Sequence, residues 1–144
     1  MKRILGLVIA ATSAFSAHAD CVLHSTRQPS VTKLLNQHGG WEFANYERVC
    51  EKLKRANASV NIVSDSVVLG NQSIGWASVM VKDKNSSVMT SSYSSMSTYT
   101  NGYASQDKAD EMMWIAVNDA LNNWRDLDKA LASLDQERQN LKKR

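Results

Sequence analysis

The chain has 144 residues, 43% hydrophobic and 22% charged, with 17 Lys and Arg against 14 Asp and Glu. Lys2 and Arg3 lie in a leader-like segment, so residues 20–144 hold fifteen basic and fourteen acidic groups, a net of +1. That length suits one domain with one core, and so even a balance lacks the basic footprint that nucleic-acid binding uses to neutralise phosphates.

Residues 1–19 read as a cleavable signal peptide. Lys2 and Arg3 form the positive start, Ile4 to Ala17 is rich in apolar and small residues, and Ala17-His18-Ala19 supplies the small residues a signal peptidase reads. The apolar stretch is short for a membrane span, so no stable anchor is expected after cleavage. The expected location is the bacterial periplasm, or beyond the cell. Cys21 and Cys50 would then meet an oxidising compartment, and a Cys21–Cys50 disulfide is expected from their even count.

In chain order, "PSVTKLLNQHGG" predicts a short helix capped by Ser30, with Val31, Leu34 and Leu35 on one face and Gly39-Gly40 ending it. "WEFANYERVCEKLKRANA" predicts a second, with Phe43, Tyr46, Val49, Cys50 and Leu53 at three- and four-residue steps. The period then changes to two. "SVNIVSDSVVL" and "SIGWASVMVKD", joined by "GNQ", predict a hairpin.

Residues 85–106 carry no charge, and ten of the fifteen from Ser86 to Thr100 are Ser or Thr. Spaced Val88, Met89, Tyr93, Met96 and Tyr99 argue against a linker. The segment predicts a third antiparallel strand, long and at an edge, turned out by "NGY". From Ser105 a helix of about 35 residues is expected, spanning roughly 50 Å. Its seam is Met113, Val117, Ala120, Trp124, Leu127, Leu131 and Leu134, at heptad steps.

The expected fold is therefore α+β in α-β-β-β-α order. N-terminal helices precede a three-stranded antiparallel meander, and a long C-terminal helix packs on one face of the sheet. Residues 20–130 form the domain, and 131–144 are the charged end of the helix, overhanging a sheet too short to cover it. This order resembles double-stranded-RNA-binding domains in topology alone. Their last helix starts basic, whereas here it starts with Asp107, Lys108, Asp110 and Glu111.

No catalytic pattern emerges. His24 and His38 form no H-E-x-x-H pair, no Ser sits in a G-x-S-x-G elbow, and no Gly-rich phosphate loop is present. No enzyme, metal or cofactor is expected. The expected action is docking to another envelope or secreted protein, or to a second copy, in an accessory, inhibitor or immunity-type role. The candidate surfaces are the uncharged edge strand and a helix stripe of Trp124, Leu127, Leu131 and Leu134. The alternative is a cell-wall glycan-binding module, stacking sugar rings on Tyr93, Tyr99 and Tyr103 among hydroxyls.

Overall fold

A computed structural model describes residues 21–143; the expected leader lies outside them. Among these residues the fold is α+β, with four helices and a four-stranded mixed sheet. Helix α1 spans Pro29–His38. Pro29 takes the first helical position and Gln28 the N-cap, so Ser30 sits inside the first turn rather than capping it. Gly39, at φ +73°, ends the helix in a left-handed conformation that costs glycine nothing.

Helix α2, Tyr46–Arg55, is shorter than its apolar spacing suggested. Val49, Cys50 and Leu53 face the core as expected. Residues 41–45 instead form a loop held by helix α3 (Gln106–Asn122): the backbone N–H of Asn45 donates to Asn122 Oδ1 at 3.0 Å. Cys21 and Cys50 are joined in a disulfide. It straps the N-terminal segment to α2, and Tyr46 Oη reinforces it by donating to the Cys21 carbonyl at 2.8 Å.

The strap has a consequence that the periodicity did not carry. Just beyond it, Ser25–Thr26 form a short strand β1 parallel to β2, Ala58–Leu69. The sheet is therefore mixed and four-stranded rather than a three-stranded antiparallel meander, in the order β1-β2-β3-β4. Two residues are too few for an alternation to register. The hairpin of β2 and β3, Gln72–Asp83, and the third meander strand β4, Met89–Asn101, stand where the period-two pattern put them. Between β3 and β4 the register jumps: Val79 pairs with Ser95 but Val81 with Thr90. The extra residues of β4 bulge out there, with Tyr93 at φ +59°.

The single 35-residue helix is the largest departure. The chain forms α3, Gln106–Asn122, and α4, Leu127–Lys142, with a corner at residues 123–126. Ser105 caps α3 as expected, accepting from the Lys108 N–H. Trp124 fills the corner, 2% exposed, and its indole N–H donates to the Tyr93 carbonyl of the bulge at 2.8 Å. A straight helix would have run off the sheet with its stripe in water. The corner folds α4 back over β4 and β3, burying Leu127, Ala130 and Leu134. Leu131 and Leu134, expected beyond the sheet, pack on the core instead, and Arg138 closes the far end. Its guanidinium reaches Asp83 Oδ2 at 2.6 Å and the carbonyls of Ala56 and Asn57 at 3.0 and 2.8 Å.

Candidate functional site

Alternation along β3 divides its side chains by size. Ser73, Gly75, Ala77, Val79 and Val81 point toward α3 and are buried. Ile74, Trp76, Ser78, Met80 and Lys82 point the other way and are half-buried. The small residues admit the helix backbone itself. A Cβ on Gly75 would lie 1.9 Å from the Met113 backbone nitrogen and 2.3 Å from the Met112 carbonyl carbon. At the end of the strand, Ser73 Oγ accepts from the Ser105 N–H at 3.0 Å, fixing the start of α3.

The bulky residues are left on the second face. Register places Val63 beside Ser78, Asp65 beside Trp76 and Val67 beside Ile74 from β2; Met96, Thr98 and Thr100 join the same rungs from β4. Met96 is 70% exposed, Leu69 59% and Met89 52%. None of Val63, Ile74, Trp76, Met80 or Met96 packs against either cluster of the core among the described residues. This face carries three methionines and a tryptophan among polar residues, and no helix among the described residues covers it.

The residues expected to form a binding surface lie elsewhere. Leu127 and Leu134 are in the core and Leu131 is half-buried against it, so with Trp124 they hold α4 to the sheet. The tyrosines share no face. Tyr99 pairs with Gly75 and lies half-buried on the helix side, Tyr93 projects from the bulge beneath Lys129, and Tyr103 stands in the turn after β4. The outer edge of β4 meets no strand among the described residues, as expected for an edge strand.

No family model, curated protein or solved structure matches the chain.

One cleft, of about 260 Å³, deserves comparison with the bare face. Glu42, Tyr99, Trp114, Asn118 and Asp119 line it, between the 41–45 loop, α3 and β4. Trp114 stacks on His38 at 4.7 Å and near Trp41 at 5.8 Å. Its indole N–H donates to Glu42 Oε2 at 2.7 Å. That bond, with His38 nearby, holds the Glu42 carboxyl below its ordinary range against the opposing effect of desolvation. Asn118 Oδ1 accepts from the Glu42 N–H at 2.9 Å, and Asp119 Oδ2 accepts from Ser97 Oγ at 2.6 Å. The polar groups of this cleft are thus engaged in seating the loop and β4 on α3. Trp114 is 3% exposed and offers no ring face to a ligand. The cleft is a structural seam.

No group of three or more His, Cys, Asp or Glu side chains is placed to hold a metal ion among the described residues. No helix among them is long and apolar enough to cross a membrane. The signal for the bare face was legible in "SIGWASVMV", where one parity is small and the other bulky. A half-buried strand read alone does not say which parity the helix covers. The bulky set looks like core until Gly75 is known to carry the helix.

Proposed function

We propose that the protein is a small exported envelope protein that acts by docking to another protein through the uncovered sheet face, without catalysis. The observation that carries this reading is the inverted side-chain distribution of β3. Small residues meet the helix while Ile74, Trp76 and Met80 lie half-buried on the opposite face, beside Met96, which is 70% exposed. Folding alone would bury the bulky set, because apolar area removed from water is the main stabilising term. Exposed apolar patches rimmed by polar residues mark interaction sites, and Met and Trp suit such surfaces. The disulfide fits a chain that leaves the reducing cytoplasm, and the periplasm is the location proposed. The glycan-binding alternative has less support, since its three tyrosines are scattered between the bulge, the helix side and a turn.

The test compares wild-type protein with Met96→Lys and Trp76→Ser. Immobilised wild-type chain, disulfide intact, should associate with a protein that both variants fail to hold. Retention on cell-wall sacculi, unaffected by either change, would support glycan binding and end the docking reading for this face.

A further inference from the structure

The identity of the docking partner can be argued from the charge and size of the same face. We infer that the bare face is the contact between two copies of this chain, packed sheet on sheet; this rests on the docking reading above. Three strands of about 12 residues make a face of roughly 40 by 14 Å. A pair of such faces buries on the order of 1,100 Å² in projection, before side-chain relief, which clears the roughly 1,000 Å² of a specific interface.

The charges on this face are self-complementary. Along the rungs of β2 and β3 its charged side chains are Asp65, beside Trp76, and Lys82, beside Ser59. Six residues of β3, about 20 Å, separate the two rungs. A twofold axis lying between the sheets and perpendicular to the strands reverses strand direction. It sets the Lys82 rung of one copy across from the Asp65 rung of the other, and by symmetry this happens twice. The two charges lie on neighbouring strands, about 5 Å apart laterally, within the reach of a lysine stem. Centred between these rungs, the axis sets the rung of Val63, Ser78 and Met96 across from the other copy's rung of Asn61 and Met80, so Val63, Met80 and Met96 of both copies line the middle of the contact. Stacked sheets sit about 10 Å apart with side chains interdigitating, and flexible methionines fill such a space well. A partner of strongly one-signed charge would find nothing on this face to match it.

Sedimentation equilibrium of the purified, disulfide-bonded chain, over a concentration series, reads the result. A species of twice the monomer mass is expected. Met96→Lys should raise the dissociation constant by about tenfold or more while leaving the thermal midpoint of the monomer unchanged. That side chain is 70% exposed, so its replacement leaves no cavity. Asp65→Lys and Lys82→Asp should each weaken the dimer, and the double exchange should restore it.

A wild-type chain that stays monomeric throughout overturns the inference. If Met96→Lys then still abolishes capture of another protein, the docking reading survives with a different partner. A dimer untouched by Met96→Lys and by the charge exchanges would instead be an edge contact through β4, and would equally overturn the face-to-face pair.

Discussion

Gly75 is the residue on which the arrangement of the two layers turns. With a Cβ only 1.9 Å from the Met113 backbone nitrogen, no side-chain rotation relieves the clash, because the obstacle is helix backbone. Gly75→Ala should therefore lift α3 from the sheet and destabilise by at least about 1–3 kcal/mol, measured as a lower urea midpoint. Asp83 is the second residue with a direct thermodynamic signature. Burial works to raise its carboxyl, but the Asn85 N–H, the Arg138 guanidinium and Ser86 outweigh that and hold it below the ordinary 3.8. A carboxylate whose folded value is depressed contributes stability above its unfolded value and loses it as pH falls through the folded one. The wild type should thus lose stability below about pH 4 in part through this pair. Arg138→Met should cost about 1–3 kcal/mol at neutral pH, leaving Asp83 and two backbone carbonyls short of a donor. It should also flatten the acid limb of a pH–stability curve, and an unchanged limb would rule out the ion pair as its cause.

Between elements, the heptad seam is continuous in sequence but divided in space. Met113, Val117, Ala120 and Leu121 bury α3 against the strands, while Leu127, Ala130 and Leu134 bury α4 after the corner. Leu134 is fully buried and Leu131 only half-buried. Leu134→Ala should destabilise by about 2–5 kcal/mol, and Leu131→Ser by distinctly less. Equal and negligible effects on a monomer would mean that α4 does not pack on the sheet. Lys52 Nζ to Asp128 Oδ2, at 2.6 Å, ties α2 to the same helix, but so exposed an aspartate adds little.

Across the described residues, the helices and the buried core all lie on one face of the sheet, and the other face is covered by no helix. The helix side is closed by the core, by the Arg138 clamp and by the disulfide across a sequence separation of 29 residues. Opening that loop by reduction should cost about 3–4 kcal/mol in the chain-entropy account and lower the unfolding midpoint. Two titratable thiols in the unreduced protein would contradict the bond outright. On the uncovered face, by contrast, Met96 is 70% exposed and contributes little to folding. Polar substitutions at Met96 should leave stability within about 0.5 kcal/mol while changing association.

The sequence by itself determined the local structure: the helix at Val49, Cys50 and Leu53, the hairpin around Gly70 and Asn71, the strand hidden in the Ser/Thr run and the cap at Ser105. These follow from periods of 3.6 and 2 and from cap and turn chemistry, which act over a few residues. The cysteine pairing was also legible, because two cysteines allow only one intrachain bond. Only the tertiary structure decided where α3 stops. Residues 123–126 hold neither Pro nor Gly, and the corner exists because Trp124 reaches the Tyr93 carbonyl and the leucines beyond it gain a sheet to cover. It also decided which parity of β3 is core. Alternation gives two faces of equal standing, and the choice between them is made by the layer that arrives. Here that layer comes so close at Gly75 that the small residues lie beneath it and the bulky ones are left outside.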